Sequence, residues 1–236
     1  MQQSVLRVGA FCAIVGALLA LLLNVVHPDM PFGMNETRVI IASRADWRTI
    51  HFGIIISALL LTYAFTALTI SLTPKSPFGF QWFGIVTTVV AAAVVMVAIG
   101  VDGFADKTLS DLWSHSTSAG RPPLRAAGYA IYLVHEGLFY IWAGLFFGVA
   151  YVFYGAALAQ SEMYPKLFGQ IGTIIGGAEA LIGAAQYLVL NDALEVALRV
   201  VLLAATLWLF VLGALMWRNA GRCYSTEIAS GIASAS

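Results

Sequence analysis

Apolar residues in this chain run in long blocks, with short polar interruptions between them, and do not alternate with polar ones. Val8 to Val26 is broken only by Asn24. An apolar helix of about 20 residues crosses a hydrocarbon core roughly 30 Å thick. Five further blocks repeat the pattern, so the chain reads as six spans at about 8–26, 47–72, 78–101, 124–159, 166–190 and 193–217. No small-residue cleavage pattern precedes His27-Pro28, so span 1 is expected to be retained.

Proline marks most of the breaks. Pro28 and Pro31 follow span 1, Pro74 and Pro77 follow span 2, Pro122 and Pro123 open span 4, and Pro165 precedes span 5. Ser43-x-x-Asp46 and Asp192-x-x-Glu195 resemble capping boxes for spans 2 and 6. Residues 35–41 suit a short interfacial helix, and 102–121 read as a long polar central loop. Span 4 is long for one crossing, which predicts tilt or a projecting end. The small, polar stretch 219–236 is expected to be a disordered tail.

The predicted fold is all-α: one domain over 1–218, a six-transmembrane-helix bundle with both termini on the same side. On the terminal side Arg7, Lys75, Lys166, Arg218 and Arg222 stand against Glu162 and Glu227, which favours cytoplasmic termini. Composition agrees. The chain is 60% hydrophobic and 10% charged, where soluble domains run near 25% charged. Its net charge of zero gives no electrostatic case for nucleic acid. Cys12 and Cys223 form neither a disulfide framework nor a zinc motif. No Gly-rich phosphate loop, nucleophile elbow, HExxH or paired CxxC appears, which excludes a conventional soluble enzyme domain and leaves enzymatic activity open.

Candidate chemistry follows from this topology. His27 ends span 1, His51 lies in the first turns of span 2, His115 lies in the central loop, and His135 sits about three turns into span 4. All four therefore fall at one face, beside Asp102 and Glu136. Imidazole and carboxylate are ligand types for zinc, copper, iron or manganese. A transition-metal ion, or a haem b held by His51 and His135, is the cofactor this pattern suggests; the alternative for each histidine is a half-solvated side chain at headgroup depth. Glu179 lies mid-span in span 5, with Gln186 on its stripe, and Arg199 lies near the start of span 6. Mid-membrane carboxylates are costly, so Glu179 is expected to be neutral or paired. It carries proton or ligand in one reading and fixes helix packing in the other. Glu136 shares a face with Tyr132 and Tyr140, whose hydroxyls can bond it. Arg199 can pair with Glu195 or reach a neighbouring helix.

Gly169, Gly172, Gly176, Ala180 and Gly183 form a small-residue stripe on span 5, which lets another helix approach closely. Span 4 is dense in aromatic rings, as core or as an apolar ligand pocket. Trp47, Trp82, Trp113 and Trp217 sit near span ends and read as interface anchors.

The HP after span 1, the DWRTIH entry to span 2 and the VDGFADKTLSDLW run after span 3 resemble those of a loose group of bacterial multi-pass membrane proteins. That resemblance implies a bacterial inner-membrane protein and points to residues near Trp47, His51 and Asp102. It supplies no reaction. Three functions follow as expectations: a metal or haem site on the extracytoplasmic face in a redox or metal-handling protein; a small-molecule or proton-coupled transporter using Glu179, Gln186 and Arg199; and an accessory subunit, or homo-oligomer, packing through spans 4 and 5 in the lipid bilayer.

Overall fold

The computed structural model describes residues 2–28, 34–73 and 78–233. Its described residues form helices α1 (Gln2–Val26), α2 (Met34–Ser43), α3 (Trp47–Leu72), α4 (Phe80–His115), α5 (Arg121–Gln160), α6 (Lys166–Val189) and α7 (Asp192–Ala233). Six of them, all but α2, are long and apolar enough to cross a membrane. This all-helical, multi-pass architecture is the one the hydrophobic blocks predict.

The helices pack as a closed ring. Each long helix lies against the next, and α1 closes the ring by packing between α3 and α7. The centre is filled by Phe65 of α3, Phe146, Tyr151 and Tyr154 of α5, and Trp208 and Leu209 of α7. Phe65 stacks on Tyr154 at 4.5 Å and meets Phe146 edge-on at 5.8 Å. Tyr140, Phe146, Phe147, Tyr151 and Tyr154 of span 4 are therefore core, while Tyr129 is half exposed. The glycine stripe of α6 is spent inside the chain as well. A Cβ built on Gly169 would lie 2.3 Å from the Ala159 backbone nitrogen, and one on Gly155 would lie 2.4 Å from that of Thr173. Backbone meets backbone between α5 and α6, as small residues permit in lipid.

Several boundaries differ from the sequence reading. Residues 102–115 are not loop: α4 continues through them as helix, with a π segment at Val101–Asp106. Their polarity comes from inward-facing bonds, and the stretch has no proline to end the ladder. At 1.5 Å per residue the 36 residues of α4 reach about 54 Å. Its last turns, the first turns of α5 and all of α2 form a cap over one end of the bundle. The cap helix α2 confirms the short helix expected near 35–41. Neither residue of the expected box caps α3: Asp46 stands at the N-cap position without a side-chain capping bond, and its carboxylate accepts from Arg44, whereas Asn191 caps α7 by accepting from the Ala193 and Leu194 amides. The chain beyond 218, expected to be disordered, continues α7 as helix to Ala233, again with no proline to stop it. The breaks expected at Pro31, Pro74 and Pro77 lie outside the described residues.

One buried ion pair fastens the cap. Arg38 of α2, fully buried, pairs with Asp106 of the π segment, and its Nη1 donates to Ser110 Oγ at 2.9 Å. Lys107 donates to the Ala42 carbonyl oxygen at 3.2 Å. Removing one partner of a buried pair leaves an uncompensated charge, which costs about 3–5 kcal/mol. Arg38→Leu is therefore expected to lower the thermal midpoint in detergent sharply. Arg38→Leu/Asp106→Leu should recover much of that loss, because no lone charge remains.

Candidate metal centre

Four helices each bring one side chain to the bundle end beneath the cap. His27 leaves the end of α1, His51 sits one turn into α3, Asp102 lies in the π segment of α4, and His135 faces them from α5. His51 Nε2 lies 2.8 Å from Asp102 Oδ2, and His135 Nε2 lies 3.5 Å from the same oxygen. Ligand atoms of His27, His51 and Asp102 all fall within 4.8 Å of one another.

Backbone carbonyls set the orientation of two of these rings. His51 Nδ1 donates to the Trp47 carbonyl oxygen at 2.7 Å, and His27 Nδ1 donates to that of Pro28 at 3.0 Å. Each bond holds the hydrogen on Nδ1 and turns Nε2 inward, the arrangement by which metal-binding histidines are aligned. Trp47 supports the group from below. It is 1% exposed, its ring lies 4.6 Å from His51 and 5.0 Å from His27, and its Nε1 donates to the Asp102 carbonyl oxygen at 3.2 Å. Trp47 is thus a buried positioning side chain rather than an interface anchor. Trp113 is also buried, while Trp82 and Trp217 keep the exposed, span-end positions expected of anchors.

The π segment matters to this geometry. An extra residue per turn brings Asp102, Gly103 and Asp106 to the interior together. His51 packs directly on Gly103, where a Cβ would lie 2.5 Å from His51 Cβ. Only glycine allows α3 and α4 to approach so closely here.

Both nitrogens of His51 face acceptors, a carbonyl and a carboxylate, so the His51–Asp102 pair shares a proton when nothing else is bound. Burial lowers the His27 imidazole below its usual value, and the nearby Asp102 carboxylate partly offsets this. His27 is therefore in the neutral form that coordinates a metal.

The other predicted residues are placed differently. His115 lies apart from the cluster. It is exposed at the end of α4, and its Nδ1 bonds the Asp111 carbonyl oxygen at 2.7 Å, four residues back. The continuation of α4 as helix carries it past the site. Glu136 adjoins His135, with 4.0 Å between His135 Nδ1 and Glu136 Oε1, and accepts from Tyr140 Oη at 2.7 Å. Gln186 Nε2 donates to the same hydroxyl at 3.3 Å, and its Oε1 accepts from the Asn191 amide at 2.9 Å. Arg199 does not enter the bundle: it is 58% exposed and pairs with Glu195 at 2.7 Å along its own helix. Glu179 is 0% exposed on the face of α6 that also buries Gly172, Gly176, Gly183 and Gln186. Neither of its carboxyl oxygens has a hydrogen-bond partner among the described residues.

Arg38 and Gly103 escaped the sequence reading, which placed Asp106 in a loop after Asp102 and not on a helix with it. The signal was present: Asp102 and Asp106 stand four residues apart, which places them on one face if the helix continues. Comparison with protein-family models, curated proteins and solved structures returned no match, so the bacterial resemblance carries no family assignment.

Proposed function

We propose that this protein binds a divalent transition-metal ion beneath the cap of its bundle, with His27, His51, Asp102 and His135 as ligands. The observation that carries the reading is convergence: three of the chain's four histidines and one aspartate, from four helices, meet in one buried cluster. Three imidazoles and a carboxylate suit Zn²⁺ and neighbouring first-row ions. The ion takes the place of the proton shared by His51 and Asp102, so binding releases a proton and weakens as pH falls. A small ion fits better than a haem. The Asp102 carboxylate sits within 3.5 Å of both His51 and His135 nitrogens, in the space a porphyrin plane between those rings needs. The protein then serves in metal handling or in redox chemistry at the ion. In this reading it lies in a bacterial inner membrane. An even number of crossings and the basic residues of the terminal side favour cytoplasmic termini, with the metal outside.

Elemental analysis and an absorption spectrum of detergent-purified protein test this. A stoichiometric metal with no Soret band is expected. A folded protein that stays colourless and metal-free after incubation with Zn²⁺, Mn²⁺ and Fe²⁺ would overturn it.

A second reading, a proton-coupled transporter, draws on Glu179. A buried carboxyl without donor or cation sits there as the neutral acid, and such groups inside membranes mark proton paths. Glu179→Gln keeps shape and neutrality, so stability should change by less than about 1 kcal/mol, while proton-coupled flux in liposomes should vanish. Unchanged flux would remove this reading. The accessory-subunit reading has less support, because the glycine stripe of α6 is occupied by α5 of the same chain.

A further inference from the structure

The cap holds a second polar site, separate from the histidines. A cavity of about 780 Å³ opens between α2, the end of α4 and the start of α5. Asn35, Trp113, Ser118, Arg121, Arg125 and Tyr129 line it, and among the described residues no Asp or Glu does. Its size is that of a small-molecule site.

The two arginines are badly placed for the helix they belong to. Both stand in the first turns of α5, at the positive end of the helix dipole, where cations are unfavourable. They are four residues apart, so they share a face as a like-charge pair and repel. Pro122 and Pro123 between them contribute no amide hydrogen, so an anion here is held by side chains and not by the helix backbone. Among the described residues neither arginine has a carboxylate partner. An anion held between them relieves the repulsion and the dipole conflict together.

The surroundings present these charges rather than leave them loose. The Arg121 guanidinium lies over the buried Trp113 ring, 4.8 Å from its centroid. This contact is to a ring and not to a carboxylate, so guanidinium N–H donors remain for oxygen. Asn35 and Ser118 add neutral polar groups at the rim, and Tyr129 adds an aromatic wall.

We propose that this cavity binds a phosphate-bearing anion, gripped by Arg121 and Arg125. Planar guanidinium donors match phosphate oxygens in pairs. Such a phosphate has two sources, an anionic phospholipid headgroup or a soluble phosphate compound, and the chemistry of the grip is common to both. The site is independent of the metal ligands.

The test uses the full chain, purified in detergent and stripped of lipid. Phosphatidylglycerol, zwitterionic phosphatidylcholine and inorganic phosphate are added separately, and occupancy is read by native mass spectrometry alongside the thermal midpoint. Wild-type protein is expected to take up one phosphatidylglycerol or phosphate saturably and to melt higher with it. Arg121→Gln/Arg125→Gln should bind at least tenfold more weakly. Arg121→Lys/Arg125→Lys, which keeps the charge but not the fork, should fall between. A response to phosphatidylglycerol alone assigns the lipid source, and a response to inorganic phosphate assigns the soluble one. If the double variant does not fold, Arg125→Gln alone leaves the Arg121–Trp113 stack intact and answers the same question. Equal binding by wild type and variants, or no saturable binding of either anion, overturns the proposal.

Discussion

Asp102→Ala is expected to empty the metal centre. The Asp102 carboxylate is the group that touches both His51 and His135, so its loss removes a ligand and leaves three imidazoles without a shared counter-charge. Changes to groups that merely orient a ligand typically cost 10–100-fold in affinity. Loss of a ligand itself should exceed that, with metal content falling from one per chain to below about a tenth. His51→Ala should do the same. Trp47→Phe is the informative contrast: it keeps a ring beside His51 but deletes the Nε1 donor to the Asp102 carbonyl. It should weaken binding roughly tenfold without abolishing it. Elemental analysis combined with competition by a chelating dye measures all three, and circular dichroism shows whether each variant is folded. A folded Asp102→Ala protein that retains its metal would overturn this ligand set.

The largest effect on stability should come from a glycine in the seam between α5 and α6. Gly169→Leu places a branched side chain where the Ala159 backbone nitrogen already lies 2.3 Å from the position of a Cβ. Backbone cannot rotate aside as a side chain does, so α5 and α6 must separate. Overpacking of cores ordinarily costs about 1–3 kcal/mol. Prying apart two helices along a shared seam should exceed the upper figure, and the protein is expected to aggregate or to melt well below wild type. The neighbouring Gly177 provides the control. Nothing lies within 4 Å of its Cβ position, so Gly177→Leu should leave melting nearly unchanged. If both variants melt alike, the α5–α6 seam is not as tight as the geometry requires.

Much of the candidate site was readable before the fold was known, because membrane topology restricts where a residue near a span end can lie. Two of the cluster histidines, His27 and His51, adjoin span ends, and counting crossings puts them at one face with His135 and Asp102. The count could not separate His115 from the rest. That depended on whether 102–115 is loop or helix, and its composition argued for loop. Polar residues there are polar because they meet Arg38, His51 and the backbone of α2, partners that are remote in sequence. Trp47 misled for a related reason. An indole at a span end suits the headgroup region, and only the neighbouring helices show that this one is covered. Glu179 was expected to be neutral or paired, and among the described residues no hydrogen-bond partner reaches it.

By itself the sequence determined the all-helical class, the six crossings, the glycine seam of α6 and the side on which the imidazoles gather. Hydrophobic block length and residue spacing carry those features, and each is a local property set against the thickness of lipid. The tertiary structure alone decided that His27, His51, Asp102 and His135 meet while His115 does not, that Arg199 turns outward, and that Arg121 and Arg125 face one cavity with no carboxylate partner among the described residues. Those outcomes depend on the rotation of one helix against another. A π segment and a few glycines set that rotation, and hydropathy is blind to it.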